Sequence, residues 1–366
     1  MTRLTLAFVV SLTSAQAAVI AANSAQGSEL FESLHCIQCH SLNGQGGKLG
    51  PDLGQLIDRN FTPASLAATM WNHAPTMWAA MRAQNVRAGD LNPHAAADLF
   101  AYFYSRRFFS KPGDAARGKQ AFESKHCAEC HGLTQTKLAG AKPVSQWEAL
   151  DHPVALVSAM WNHAATMQQE FAKQRITWPE LDAQNLTDIL VYLRNLPETR
   201  NLTSGFDINS GNSGPALFQA KGCAACHTGA LALEPRLKGK TLTEIAVAMW
   251  NHEPTMGKPA PSLDTDEMRS LLSFLWAQEF FQDSGNASAG QKVFAARHCA
   301  VCHNNPASGA PKLPASGMAF DGATMVSALW AHGPRMLQQM QSQGIRWPRF
   351  QANEMSNLIA YLNSAK

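Results

Sequence analysis

The 366-residue sequence has few charged side chains and, after its first residues, no long apolar run. Charged residues make up 16% of the chain. No stretch beyond the amino end reaches the ~18 apolar residues that a membrane-spanning helix needs, and no basic stripe or nucleic-acid motif is present. These features exclude a membrane-embedded bundle and a nucleic-acid-binding protein. The hydrophobic content of 45% is typical of a chain that folds in water.

The chain also lacks a spare cysteine. Its eight cysteines form four pairs with two residues between the members, and a histidine follows each pair directly. These triplets are Cys36, Cys39 and His40; Cys127, Cys130 and His131; Cys223, Cys226 and His227; and Cys299, Cys302 and His303. Four disulfides would be the ordinary expectation for an exported chain. The spacing C-x-x-C-H, however, is the signature of haem c attachment.

The motif suits a covalently bound porphyrin. Two thiols three positions apart can bond the two vinyl groups of one haem, and the adjacent histidine can bind the iron as its proximal ligand. A redox dithiol would need alternating strands and helices around the motif, and zinc would need four sites completed by unrelated residues. We therefore expect four haem c groups. The eight cysteines are the predicted attachment sites, and His40, His131, His227 and His303 are the predicted proximal ligands.

Residues 1–17 have the order of a secretory signal. Arg3 is followed by an apolar run at 4–10 and by the pattern Ala15-Gln16-Ala17, after which cleavage is expected. An uncleaved anchor is the alternative, although polar residues interrupt the stretch before it reaches spanning length. We expect a periplasmic or otherwise exported protein with no membrane span in the mature chain.

Each haem motif lies in a repeat of similar design. A glycine stands nine residues before the first cysteine, and a phenylalanine stands five before it; these are Gly27, Gly118, Gly214 and Gly290, and Phe31, Phe122, Phe218 and Phe294. A loop rich in glycine and proline follows the motif, then a short helix such as 63–72. An amphipathic helix closes each repeat, at 97–105, 187–196, 268–277 and 355–364. The pattern predicts four all-α domains, repeats 1 to 4, at 27–110, 113–200, 211–282 and 286–366.

This order of elements resembles the class I cytochrome c fold in four tandem copies. The resemblance implies that the first and last helices of a domain cross at right angles, with pairs such as Phe31 and Tyr102 in contact. Domains of this size rarely form a sufficient core alone, so haem is expected to supply the missing apolar mass.

A segment of similar sequence, here called the distal segment, precedes the closing helix in each repeat. It reads M-W-N-H-A-P-T-M at 70–77, M-W-N-H-A-A-T-M at 160–167, M-W-N-H-E-P-T-M at 249–256 and L-W-A-H-G-P-R-M at 329–336. The resemblance favours the final methionines as sixth iron ligands: Met77, Met167, Met256 and Met336. The histidines remain as alternative ligands or as supporting groups: His73, His163, His252 and His332. The tryptophans are expected to pack on the haem, to donate to a propionate or to fill the core: Trp71, Trp161, Trp250 and Trp330.

Haem also changes the charge and the expected partners. The apoprotein carries +3, whereas two propionates per haem and four ferric irons bring the total to about −1.

The leading hypothesis is an electron carrier that meets a redox protein donor and a redox protein acceptor through small, transient contacts. The alternative is a haem oxidoreductase acting on a small sulfur or nitrogen compound or a peroxide at one labile haem, for which the shorter third repeat is the place to look. A subunit of a membrane or extracellular assembly is a third possibility.

Overall fold

A computed structural model describes residues 21–54, 62–87, 89–106, 112–147, 150, 153–197, 207–211, 213–237, 239–281, 284–313 and 319–364. The predicted signal at 1–17 and the expected last residues of the four domains, 110, 200, 282 and 366, lie outside these ranges.

The described chain is almost entirely helical, which confirms the all-α expectation. Repeat 1 contains α1 (Ser24–Ser33), α2 (Cys36–Cys39), the paired strands β1 (Ser41–Leu42) and β2 (Gln45–Gly46), α3 (Pro63–Ala83) and α4 (Pro93–Arg106). Repeat 2 contains α5 (Ala115–Ser124), α6 (Cys127–Cys130), α7 (Pro153–Gln174) and α8 (Ala183–Arg194). Repeat 3 contains α9 (Ser213–Ala220), α10 (Glu234–Leu237), α11 (Leu242–His252) and α12 (Thr265–Phe280). Repeat 4 contains α13 (Ala287–Ala296), α14 (Cys299–His303), α15 (Gly322–Ser342) and α16 (Ala352–Leu362). Among these helices none has both the length and the hydropathy to cross a membrane.

The first and last helices of every repeat pack against each other. The pairs are α1 with α4, α5 with α8, α9 with α12 and α13 with α16. The predicted contact of Phe31 with Tyr102 is confirmed, with ring centroids 5.9 Å apart. Equivalent ring pairs lie at 6.1, 6.0 and 5.4 Å in repeats 2, 3 and 4. Each repeat therefore builds its core around the same aromatic contact.

The helix that carries the distal segment is longer than expected in repeats 1, 2 and 4. The prediction of a short helix at 63–72 is wrong, because α3 continues to Ala83 and α7 and α15 are equally long. A proline inside a helix removes a hydrogen bond and costs about 3 kcal/mol. Here Pro75 leaves the carbonyl of Trp71 free, and the Trp347 indole of repeat 4 donates to it at 2.8 Å. A contact between repeats thus compensates for the proline.

The repeats do not pack in chain order. Repeat 1 packs on repeat 4 through α3, α15 and α16, and repeat 2 packs on repeat 3 through α7, α11 and α12. Tyr104 on α4 joins the two pairs, since its ring lies 4.9 Å from Trp276 and 5.1 Å from Phe280 on α12. These contacts link the repeats in the order 4, 1, 3, 2.

Candidate haem sites

The cysteine pairs lie on single helical turns that begin after a sharp bend. In repeats 1 and 2 the two cysteines begin and end one turn of helix, and in repeat 4 the turn continues to His303. In repeat 3 a 3₁₀ turn at Cys223–Ala225 replaces it. The residue before each first cysteine is left-handed, with φ of 62°, 66°, 78° and 62° at His35, His126, Gly222 and His298. Glycine adopts this conformation readily and histidine tolerates it. The bend explains why glycine replaces histidine there in repeat 3.

The surroundings of the first cysteine in each pair favour the neutral thiol, because burial raises its pKa. No disulfide joins the eight cysteines. Burial raises the pKa of Cys36 and of Cys299 to about 11, and that of Cys127 to about 12. A redox dithiol or a zinc site needs thiolates, whose pKa is lowered. In the described ranges no group of three or more histidine, cysteine, aspartate or glutamate side chains is placed to hold a metal ion. The raised pKa of these buried thiols therefore does not match a redox dithiol.

Each predicted proximal histidine is oriented by a backbone carbonyl. The Nδ1 atoms of His40, His131, His227 and His303 lie 3.0, 3.0, 3.2 and 2.8 Å from the carbonyl oxygens of Pro51, Lys142, Leu231 and Pro311. Each carbonyl belongs to the loop that follows its own motif. A hydrogen bond from Nδ1–H fixes the tautomer in which Nε2 carries the lone pair, as in a histidine that binds a metal.

In repeat 1 a glycine brings the loop onto this ring. A Cβ atom at Gly50 would lie 2.4 Å from the His40 imidazole, so only glycine permits the approach. The loop residues therefore hold the imidazole in place without a metal.

The distal histidines of repeats 2 and 3 face the proximal ones. The ring centroids of His163 and His131 are 6.3 Å apart, and those of His252 and His227 are 5.7 Å apart. In repeat 1, burial and then the nearby His40 imidazole lower the pKa of His73. Burial and the facing imidazole likewise lower the pKa of His163 and of His252. All three rings are thereby favoured in the neutral form, which is the form that binds metals.

The distal methionines of these three repeats pack against apolar side chains. Met77 packs on the cluster of Ala74, Trp78 and Leu329 between repeats 1 and 4. Met167 and Met256 pack against the main hydrophobic core. In repeat 4 His332 is exposed and Met336 is half-buried. The segment thus presents histidine and methionine in different surroundings.

The tryptophans of the distal segment join repeats instead of donating to a propionate. The indole N–H groups of Trp161, Trp250 and Trp330 donate to the carbonyl oxygens of Pro261, Pro179 and Gly89, at 2.8, 2.9 and 2.9 Å, and each carbonyl belongs to another repeat. The expectation that they donate to a propionate is therefore wrong for these three. Trp71 stacks on Trp347 with ring centroids 5.4 Å apart, and its indole N–H finds no hydrogen-bond partner among the described residues.

In three of the four distal segments an asparagine follows the tryptophan and joins two repeats, a role that the sequence reasoning missed. Its amide pairs with both the N–H and the C=O of one residue in another repeat. The pairs are Asn72 with Phe350, Asn162 with Leu263 and Asn251 with Leu181. The available signal was its presence in three segments and its replacement by Ala331 in the fourth. We call the tryptophan and this asparagine together the Trp-Asn clamp.

The residues of the sites in repeats 2 and 3 fit a haem. Because a bond between a metal and an imidazole is about 2 Å long, two imidazoles on opposite sides of one ion have ring centroids about 6 Å apart. The facing rings in repeats 2 and 3 have this separation. A haem bound there supplies a ferric/ferrous couple that accepts and releases one electron at a time.

Comparison with protein families agrees with this geometry. The cytochrome c family matches residues 24–105 and 115–197, and the family described as cytochrome c oxidase, cbb3-type, subunit III matches residues 285–362. No curated protein and no solved structure matches the chain. The matches cover repeats 1, 2 and 4, each with its cysteine pair and histidine, and cytochrome c domains imply covalently bound haem c and electron transfer. The chain is a multihaem c-type cytochrome.

Proposed function

We propose that the chain is an exported tetrahaem electron carrier. Each of the four cysteine pairs holds one haem c, and His40, His131, His227 and His303 bind the irons on the proximal side. A redox protein donor gives one electron to a ferric iron, and a ferrous iron returns one electron to an acceptor. No bond is made or broken in the protein during the transfer.

The observation that carries this proposal is the common orientation of the four proximal imidazoles. All four direct Nδ1 to a loop carbonyl at 2.8–3.2 Å, although the four loops differ in sequence and length. Repeat 3 shares this feature without matching either family. A haem in repeat 3 is therefore the sharpest part of the proposal.

The count of haems tests it. The mature protein, made in cells with a competent haem-attachment system, should carry four haem masses in intact mass spectrometry. The double variant Cys223→Ser, Cys226→Ser should carry three, because the third motif loses both thioether bonds. The matched control Cys127→Ser, Cys130→Ser should also carry three. Wild-type protein with three haems, and no loss in the repeat 3 variant, would show that repeat 3 is not a haem domain.

Repeat 3 is also where the catalytic alternative would be found. Its distal helix α11 ends at His252, whereas α3 and α7 continue for about three more turns after the equivalent histidine. Cys226 is also exposed. An enzyme acting on a small sulfur or nitrogen compound or a peroxide needs an iron with a labile sixth position. Carbon monoxide bound by one reduced haem of four would favour that function, whereas four haems that bind none favour a carrier.

A further inference from the structure

We propose that in repeats 1, 2 and 3 the sixth iron ligand is the distal histidine, His73, His163 or His252, and not the methionine four residues later. This inference rests on the proposed function, since it requires a haem at each cysteine pair. It departs from the methionine ligation that the class I resemblance favours. Repeat 4 is not included, because among the described residues His332 has neither a facing imidazole nor a hydrogen-bond partner at its ring, whereas each of the other three histidines has at least one of these.

The first argument is the position of each candidate on the backbone. The histidine lies in the distal helix in all three repeats, within α3 and α7 and at the end of α11. The methionine does not keep one position. Met77 and Met167 lie one helical turn later, whereas Met256 follows a 3₁₀ turn and has extended backbone angles, φ −68° and ψ 127°. Of the two candidates, only the histidine keeps a helical position in all three repeats.

The second argument is the facing geometry. His163 faces His131 and His252 faces His227 at centroid separations of 6.3 and 5.7 Å. Two imidazoles on one iron require a separation of about 6 Å. Repeats 2 and 3 differ in the length of the distal helix and still bring the two rings to this distance.

The third argument is the orientation of the distal rings. His73 Nδ1 bonds to the carbonyl of Thr69 one turn earlier, and His252 Nδ1 lies 3.1 Å from the hydroxyl of Thr255. As on the proximal side, a partner at Nδ1 directs Nε2 toward the metal. These two threonines are therefore positioning residues for the ligand.

The fourth argument is that the methionines have another role. Met77 fills the contact between repeats 1 and 4, and Met167 and Met256 pack against the core. Unbranched, polarisable methionine commonly fills irregular gaps of this kind. Its presence in every repeat needs no bond to iron.

Two variants of α7 give a matched test. His163 and Met167 lie one turn apart on the same helix and are both half-buried, so their replacement by alanine perturbs the fold similarly. His163→Ala should convert one of four ferric haems to high spin, with loss of about a quarter of the low-spin electron paramagnetic resonance intensity, and added imidazole should restore it. Met167→Ala should keep all four haems low-spin. The reverse result would overturn the proposal.

Wild-type protein gives a second measurement that does not depend on folding of a variant. A ferric haem with a thioether ligand has a weak near-red absorption band that a bis-imidazole haem lacks. We expect this band at no more than one haem equivalent. A band worth two or more haems would overturn the proposal. The haem count of each sample separates the two proposals: four haems with the reverse spectra reject only the ligand assignment, whereas fewer haems reject the proposed function.

Discussion

At the scale of single residues, two buried carboxyl groups in equivalent places have pKa values shifted in opposite directions. Asp98 on α4 and Asp188 on α8 each accept a backbone N–H from the residue that caps the first helix of the repeat. Burial raises the pKa of Asp98, and the bond from Asn23 offsets only part of this effect. Burial also works to raise the pKa of Asp188, but hydrogen bonds from Arg117, Asp114 and Gln184 lower it instead. The surroundings of Asp188 therefore favour its carboxylate form, whereas those of Asp98 disfavour it.

The two aspartates should respond differently to replacement by asparagine. With a lowered pKa, the Asp188 carboxylate stabilises the fold above its unfolded pKa, and this contribution is lost as the pH falls through the folded pKa. Asp188→Asn should therefore reduce the free energy of unfolding by about 1–2 kcal/mol at pH 7, and by less in acid. Denaturant titrations of the holoprotein at several pH values measure this difference.

Asp98→Asn is the matched control for that experiment. With a raised pKa, the stabilising contribution of the Asp98 carboxyl is present below its unfolded pKa and is lost as the pH rises through the folded pKa. A neutral amide at this place should not reduce stability at pH 7. Repeat 4 already has Asn357 there, and its side chain accepts the N–H of Asn286 at 2.7 Å. Equal losses in both variants at pH 7 would contradict the opposite directions of the two pKa shifts.

At the scale of helices, a glycine on the first helix allows the closing helix to approach closely in three repeats. A Cβ atom at Gly27, Gly118 or Gly290 would lie 2.1, 1.9 or 1.9 Å from a carbonyl oxygen of the closing helix. Gly118→Ala should therefore separate α5 from α8 and destabilise repeat 2 by about 3 kcal/mol, the upper range for overpacking. Gly257→Ala is the control, because nothing lies within 4 Å of its Cβ position. Thermal unfolding monitored by haem absorbance should shift for the first variant alone.

The repeat pattern predicted the glycines, aromatics and closing helices, and the family resemblance predicted the contact between the first and last helices. Both succeeded because periodicity and spacing record requirements within one repeat. The glycines, the aromatic pairs such as Phe122 with Tyr192, and the closing helices all follow from patterns within one repeat. The long α3 helix did not follow, since Pro75 is tolerated through Trp347, which lies 272 positions later in the chain. The left-handed bend at His35 also has no local signal except glycine in the equivalent place of repeat 3.

At the scale of the whole molecule, the distal segment does two things at once. In repeats 2 and 3 its histidine faces the proximal histidine, and the neighbouring Trp-Asn clamp holds another repeat. The clamp is reciprocal between repeats 2 and 3, where Asn162 binds Leu263 and Asn251 binds Leu181. Between repeats 1 and 4 it has only one asparagine, Asn72, because Ala331 stands in the other place. The position of each haem site is therefore coupled to the packing of its partner repeat.

Loss of one clamp should uncouple repeats 2 and 3. Asn251→Ala removes both hydrogen bonds to Leu181, at 2.8 and 3.0 Å, and leaves the N–H and C=O of that residue without these partners. The free energy of unfolding should fall by about 2 kcal/mol, the usual cost of an unsatisfied buried polar group. The urea transition should also broaden, because repeats that unfold separately expose less surface in each step. Asn195→Ala is the control, since that amide bonds Val191 within its own repeat. A single, equally steep transition in both variants would mean that the clamp does not couple the two repeats.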